Sequence, residues 1–171
     1  MNSVPLIIAT ILKYAYTRVE AEKLLSVFRL LSDAYFYQQA DARMMESIIE
    51  ERFRHALDTT YYFESLPELI QLAQKSSKGR IYETIHDVSD ALELLPVLTL
   101  YVPTKLEHIY IATIGTWVRG TINEKILLQF IISAAYRGGC GVSWKGIMKD
   151  YSFNHFLQRE SRSIQSLIQN V

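Results

Sequence analysis

The segment Gly138–Leu157 decides the fold of the C-terminal part of the chain, and it reads GGCGVSWKGIMKDYSFNHFL. Three residues in it alternate with small or polar ones, as in a half-buried strand: Cys140, Val142 and Trp144. The pair Lys145-Gly146 predicts a tight turn into a short second strand over 147–149. The segment therefore predicts a β-hairpin.

A helix is predicted directly after this hairpin. Ser152 is placed to cap its N-terminus, and Asp150 to accept backbone N–H bonds near the same end. Gly138 and Gly139, where the hairpin begins, are expected to allow a positive φ or a close backbone approach. The buried side of the helix is predicted to carry Phe153, Phe156, Leu157, Ile164, Leu167 and Ile168.

Upstream of the hairpin, the β-branched and apolar run Val97–Val102 predicts a strand that ends at Pro103. Thr104 and Glu107 have the spacing of a capping box, and Gly120 is expected to end the helix that follows. Its inward face is predicted to be Leu106, Ile109, Thr113 and Trp117. With a second strand over Lys125–Ile132, the predicted order is β-α-β-β-β-α.

Residues 1–95 show helical spacing throughout. Ser3 and Pro5 indicate the start of a first helix, and Asp41 and Ser65 indicate the starts of two later ones. The predicted buried stripes are Leu24, Phe28 and Leu31; Met45, Ile48, Ile49, Phe53 and Leu57; Leu66, Leu69, Ile70 and Ala73; and Ile81, Ile85, Val88, Leu92 and Leu95. Short helices joined by short loops form a bundle.

Glycine and charge divide the chain at the same point. Six of the seven glycines follow Pro96, and helices avoid glycine whereas hairpins need it. Residues 1–96 carry ten basic and 14 acidic side chains, and residues 97–171 carry eight and four, so the net charges are −4 and +4. We therefore predict an α+β protein, with an N-terminal all-α bundle over 1–95 and a small C-terminal α/β domain over 96–171.

Composition excludes several classes of protein. The 171 residues balance 18 basic against 18 acidic side chains, which does not favour a general nucleic-acid binder. A single cysteine excludes an intramolecular disulfide framework. The apolar run Val4–Leu12 is too short to span a bilayer and lacks a basic leader. We expect a soluble intracellular protein.

The C-terminal segment resembles the signature of the delta subunit of F-type ATP synthases, whose mitochondrial counterpart is the oligomycin-sensitivity-conferring protein. The matching positions are Gly138, Gly139, Gly146, Asp150, Ser152 and Leu157, at the same offsets and without a gap. Val97 to Leu106 and Gly79-Arg80-Ile81 resemble two further family segments, so the match covers about residues 79–170. Tyr151 and Phe153 depart from the family's Gly and Val.

The resemblance implies a non-catalytic peripheral-stalk subunit without cofactor or metal, held on the cytoplasmic, matrix or stromal side of an energy-transducing membrane. Its N-terminal bundle would bind the N-terminal segment of the alpha subunit, and its C-terminal domain the end of the b subunit. The implied groove for the alpha segment runs along Ile8, Ile11, Leu12, Ile85 and Val88. Nucleic acid is not an expected partner.

Catalytic, metal and phosphate sites have weak sequence support. Cys140, His155 and Asp150 are one conceivable thiol triad, but the alternation favours a core cysteine. The four histidines are scattered, and His86-Asp87 is the one pair considered for a metal. Gly138 to Gly141 lacks a phosphate-binding pattern. A small enzyme is thus the least favoured hypothesis.

Two surface features leave another hypothesis open, a helical adaptor that binds protein or RNA through a basic tail. Basic side chains cluster near the C-terminus: Arg137, Lys145, Lys149, Arg159 and Arg162. Two aromatic triplets, Tyr35-Phe36-Tyr37 and Tyr61-Tyr62-Phe63, are too dense for one helix face to bury. They are either core with ordinary exposed tyrosine or a contact patch.

Overall fold

The computed structural model describes residues 3–37, 47, 59–75, 80–136 and 138–161. The chain divides into two compact units, Met1–Leu95 and Pro96–Val171. Helices dominate the first unit and all the described strands lie in the second, which confirms the predicted α+β class.

The first unit contains four helices within the described ranges: α1 (Val4–Tyr14), α2 (Arg18–Tyr37), α3 (Thr59–Lys75) and α4 (Ile81–Glu93). Pro5 lies in the first turn of α1 as predicted, but Ser3 makes no side-chain cap bond. The helix predicted from Asp41 lies outside the described residues except for Ser47, which is helical.

Buried apolar stripes hold these helices together. The predicted stripe of α2 is confirmed, since Leu24, Phe28 and Leu31 are at most 1% exposed. The stripe of α4 is also confirmed for its four helical members, which are all buried: Ile81, Ile85, Val88 and Leu92. Burial of such a stripe supplies most of the stability of a short helix, because helices of this length are marginal in water alone.

Polar contacts fix where α1 ends and α2 begins. The Lys13 ammonium pairs with the Glu68 carboxylate on α3, and the Tyr14 hydroxyl donates to Glu68 Oε1 at 2.9 Å. A capping box starts α2, because Glu20 Oε2 accepts from the backbone N–H of Thr17 at 2.8 Å while Thr17 Oγ1 accepts from the Glu20 N–H at 3.2 Å. Glu20 also accepts from the N–H of Tyr16, so one carboxylate satisfies two backbone donors.

The predicted start of a helix at Ser65 is wrong. Helix α3 already begins at Thr59, and Pro67 lies inside it. Proline cannot donate the backbone hydrogen bond of its position, which normally weakens a helix. A continuous buried face compensates, since Ser65, Leu69 and Ala73 recur every four residues and have no exposed surface.

The second unit is a mixed four-stranded sheet with two helices: β1 (Val97–Val102), α5 (His108–Thr121), β2 (Leu127–Ile132), β3 (Gly141–Trp144), β4 (Ile147–Asp150) and α6 (Phe153–Arg159). This is the predicted β-α-β-β-β-α order. The strands lie in the order β2-β1-β3-β4, in which β1 is parallel to β2 and antiparallel to β3. The β3–β4 hairpin pairs Trp144 with Ile147 across its turn.

The core of the second unit lies between α5 and one face of the sheet. Its buried members are Leu98, Leu100, Val102, Val118, Ile126 and Leu128. The predicted inward face of α5 is wrong, because Ile109 and Trp117 are each 62% exposed. The helix buries Gly115 and Val118 instead.

The two ends of this unit also differ from the prediction. Helix α5 starts at His108 rather than at Thr104, because the backbone of Glu107 is extended (φ −70°, ψ 152°) and no side-chain cap bond forms. Helix α6 buries none of its residues between Phe153 and Arg159. Its predicted residues Ile164, Leu167 and Ile168 lie outside the described residues.

Candidate docking surfaces and the C-terminal signature

The glycine pair of the signature has the backbone conformation that the sequence predicts. Gly138 and Gly139 have φ values of 72° and 108°, which favour glycine. A Cβ on Gly139 would lie 2.3 Å from the carbonyl oxygen of Tyr151, so the two backbones touch here. The Phe153 N–H donates to the Gly138 carbonyl at 2.6 Å. The pair therefore joins the start of the hairpin to the start of α6.

Asp150 and Ser152 form the turn that leads into α6. Asp150 Oδ1 accepts from the Ser152 backbone N–H at 2.7 Å, and Ser152 Oγ accepts from the His155 N–H at 3.2 Å. The bond from the Ser152 backbone N–H, followed by the Ser152 side chain, lowers the pKa of Asp150. Both residues thus have the capping roles predicted from the sequence.

The hairpin turn explains the third glycine. Lys145 and Gly146 have φ values of 50° and 79°, the positive pair that a two-residue type I′ hairpin requires. Nothing lies within 4 Å of a Cβ built on Gly146, so its backbone conformation, and not space, is the reason for glycine.

The prediction that Leu157 lies on the buried side of α6 is wrong, because this residue is 38% exposed. The exposed aromatic rings of Phe153 and Phe156 stack on each other at 6.5 Å instead. An open cleft of about 510 Å³ lies beside them, which we name the β4–α6 cleft. Its lining combines apolar and charged side chains: Met148, Lys149, Asp150, Tyr151, Ser152, His155, Phe156 and Arg159.

The groove predicted in the N-terminal bundle is largely core. Ile11 and Val88 have no exposed surface and Ile85 is 9% exposed, so these three pack inside the bundle. The prediction that they contact a partner is therefore wrong. Ile8 and Leu12 are half-buried and keep a surface that a partner can touch.

A separate open cleft of about 370 Å³ lies between α2 and α4. Its lining combines polar and apolar side chains: Leu25, Ser26, Arg29, Tyr82, Ile85, His86, Ser89 and Asp90.

The exposed side of α5 is a further apolar surface, which we name the α5 face and define by Ile109, Tyr110 and Trp117. These side chains are 62%, 58% and 62% exposed. Sequence periodicity placed two of these residues, Ile109 and Trp117, on the inward side of the helix. An exposed apolar patch of this kind is a common mark of a contact surface.

Tyr136 is a residue that the sequence analysis missed. A Cβ on Gly141 would lie 2.6 Å from its ring, and its ring centroid is 5.7 Å from that of Tyr101. Burial first, and then the charge of Asp150, raises the pKa of the Tyr136 hydroxyl. Glycine inside a strand is the available signal, since it often marks a close approach by another group.

The three members of the conceivable thiol triad differ in their surroundings. Cys140 packs against the core of the second unit, whereas Asp150 and His155 lie at the surface in the β4–α6 cleft. The space beside the glycine pair, considered for phosphate, is occupied by the Tyr151 carbonyl oxygen.

No group of three or more potential metal ligands occurs among the described residues. His86 pairs with Asp90 through Nδ1 at 3.0 Å rather than with the neighbouring Asp87, and this pair is exposed. His55 lies outside the described residues.

The basic and aromatic clusters are only partly described. Lys145, Lys149 and Arg159 are exposed, and Arg159 pairs with Glu160 at 3.1 Å; Arg137 and Arg162 lie outside the described residues. Tyr35 and Phe36 are half-buried and meet edge to face at 5.0 Å. The side chains of Tyr37 and of the triplet at 61–63 lie outside the described part.

No protein-family model matches this chain, and no curated protein matches it either. Among the described residues, no helix is long and apolar enough to cross a membrane.

Proposed function

We propose that this chain is a peripheral-stalk subunit of an F-type proton-transporting ATP synthase, which links the catalytic alpha/beta head to the b-subunit stalk and resists rotor torque. The proposal rests on the resemblance of the C-terminal segment to the delta-subunit family. In this proposal the protein is non-catalytic, and its function resides in two docking surfaces.

The observation that best supports it is the structural use of the signature residues. Gly139 is required where it touches Tyr151, and Asp150 and Ser152 cap the entry of α6. Residues with such specific backbone roles are unlike a chance match of composition, since each substitution there carries a structural cost.

The division of the chain supplies a second argument. A coupler must hold two partners at once, and this chain has two compact units, Met1–Leu95 and Pro96–Val171. Two modest contacts on one chain act as a tight tether, because the first contact raises the effective concentration of the second.

Each unit offers a surface for one partner. In the second unit, the β4–α6 cleft exposes Met148, Tyr151 and Phe156 at 50% or more, which suits the apolar side of a b-subunit helix. In the first unit, Ile8 and Leu12 lie one turn apart on α1 and remain partly accessible to an alpha-subunit segment.

A pull-down with the full chain tests this function. The two probes are a peptide of the alpha-subunit N-terminus and a C-terminal fragment of the b subunit, and both are expected to bind. Phe156→Ala is expected to weaken binding of the b fragment alone, and Ile8→Gln binding of the alpha peptide alone. Leu94→Ala is a matched control, because this residue is 86% exposed and lies outside both surfaces.

The competing adaptor function predicts a different result. A chain that captures neither probe, but binds RNA with an affinity that falls steeply as salt increases, contradicts the stalk proposal.

A further inference from the structure

The two edges of the sheet differ in their chemistry. Strand β4 at one edge carries the charged residues Lys149 and Asp150. Strand β2 at the other edge reads LLQFII, and the whole stretch 126–136 contains no charged residue. Natural proteins usually protect an edge strand with charge or proline, because its open backbone groups pair readily with another strand. Edge β4 is protected in this way and edge β2 is not.

The backbone N–H and C=O groups of successive β2 residues point alternately towards β1 and towards the free edge. The N–H groups of Leu127 and Ser133 donate to the carbonyls of Pro96 and Val102 at 3.0 and 2.8 Å. The N–H and C=O groups of Phe130 and Ile132, which alternate with these, therefore point away from β1. Within the described ranges, β1 is the single strand paired with β2.

Among the described residues, contacts cover the first half of this edge and leave the second half open. Arg119 Nε donates to the Ile126 carbonyl at 3.1 Å, and Leu127 and Leu128 are at most 1% exposed. Ile131 and Ile132, by contrast, are 37% and 62% exposed. A strand that adds to this edge is therefore expected to pair with the residues around Ile131.

We propose that the open half of β2 pairs with β2 of a second copy of this chain, antiparallel about a twofold axis at Ile131. In this register Phe130 lies opposite Ile132 of the second copy, and the two pairs exchange four backbone hydrogen bonds. The two Ile131 side chains meet on the other face of the sheet. Every open backbone group of Phe130 and Ile132 finds a partner, and no charge is buried.

A second copy fits this edge better than a helix does. Backbone donors and acceptors spaced along a strand are satisfied by an extended chain, and a helix has none to offer along its sides. The α5 face begins near the open half of β2. A helix that connects two parallel strands runs in the opposite direction to them. The first turn of α5, with Ile109 and Tyr110, thus lies at the same end of the unit as Ile132.

The interface is small, so self-association is expected to be weak and concentration-dependent. Sedimentation velocity on the full chain measures it directly. The wild type is expected to shift from monomer towards dimer as its concentration rises. Ile131→Lys and Ile131→Glu are each expected to remain monomeric, because like charges would face each other across the axis.

The decisive experiment mixes Ile131→Lys with Ile131→Glu. Lysine opposite glutamate is an attractive cross-strand pair, so an equimolar mixture is expected to form a heterodimer although neither variant dimerises alone. Ile147→Lys makes the same change on the protected edge, where the side chain is 66% exposed, and is expected to dimerise like the wild type. Circular dichroism verifies that each variant is folded.

Three results would overturn the proposal: a wild type that stays monomeric throughout, dimerisation of Ile131→Lys alone, or a mixture that remains monomeric. The first would leave this edge to an extended segment of another protein. The proposal does not depend on the stalk function, since none of the three results requires an alpha or b subunit.

Discussion

The carboxylate of Asp150 and the backbone N–H of Ser152 are joined by a hydrogen bond of 2.7 Å, which closes the turn between β4 and α6. Ser152 is 3% exposed and caps α6 with its hydroxyl. One aspartate therefore positions the residue that starts the next helix.

Replacing Asp150 by alanine is expected to lower the free energy of unfolding slightly, because the Ser152 N–H loses its acceptor. Asp150→Asn keeps an acceptor oxygen for the Ser152 N–H, so its loss is expected to be smaller. Urea denaturation of the two variants and the wild type compares them. Unchanged stability together with lost binding would assign Asp150 to an interface instead.

The stabilising effect of Asp150 is also expected to depend on pH. Its pKa is lower in the folded chain than the value of about 3.9 in an unfolded one. The contribution is therefore complete above that unfolded value and is lost as the pH falls through the folded pKa. Asp150→Asn cannot titrate, so its stability is expected to vary less than that of the wild type between about pH 6 and about pH 3.

Two glycines of the hairpin make a matched pair. Gly139→Ala combines a positive φ with a Cβ 2.3 Å from the Tyr151 oxygen, whereas Gly146→Ala has a positive φ and open space. We expect a loss of about 1–2 kcal/mol for Gly146→Ala and a clearly larger loss for Gly139→Ala. Thermal unfolding measures both, and equal losses would mean that the contact at Gly139 relaxes freely.

The orientation of α5 can be tested by substitution on its two faces. Val118 is 1% exposed, so Val118→Ala removes buried methyl groups and is expected to cost about 1–3 kcal/mol. Trp117 is 62% exposed, and Trp117→Ala is expected to change stability by less than about 0.5 kcal/mol. If chemical denaturation showed Trp117→Ala to be the more destabilising of the two variants, the inward face predicted from periodicity would be correct.

A further pH effect is expected where α1 meets α3. The Lys13 ammonium lowers the pKa of Glu68, followed by the Tyr14 hydroxyl, and Glu68 in turn raises the pKa of Lys13. The contribution of Glu68 is lost as the pH falls through its lowered folded pKa, and that of Lys13 as the pH rises through its raised one. Both groups are exposed, so Glu68→Gln is expected to have a small effect that high salt reduces further. An effect that persists at high salt would indicate packing rather than charge.

The order of strands and helices in the second unit was predictable from local patterns. Strand β1 spans the predicted residues, and the hairpin turn and the Ser152 cap follow from residue types that only a few conformations accommodate. Strand β2 starts at Leu127 rather than Lys125, because the Asn123 side chain accepts the Lys125 N–H at 2.8 Å and extends the turn.

Other features depend on packing that a single sequence does not reveal. Helix α5 has apolar residues on both of its sides, so periodicity alone does not decide which side faces the sheet. Pro67 has the sequence pattern of a helix start. The structure shows that α3 and its buried face continue through this residue. The capping box of Thr17 and Glu20 was readable from its spacing and was overlooked.

The candidate sites show the same division. Gly138 and Gly139 were expected to allow a positive φ or a close backbone approach, and Gly146 to lie in a tight turn. All three have a positive φ, a conformation that glycine adopts without strain. Ile11 and Val88 were misassigned to a groove, because an apolar residue on a helix looks the same in a core and in a docking surface.

Limited proteolysis is expected to separate the two units. Leu94 is 86% exposed beside the boundary at Pro96, and cleavage there or within Lys75–Gly79 is expected to leave folded fragments. Mass spectrometry locates the cuts, and circular dichroism of the purified fragments reports whether each keeps its structure. Cleavage confined to the termini, together with a single cooperative unfolding transition, would argue against independent units and against a coupler that holds one partner on each.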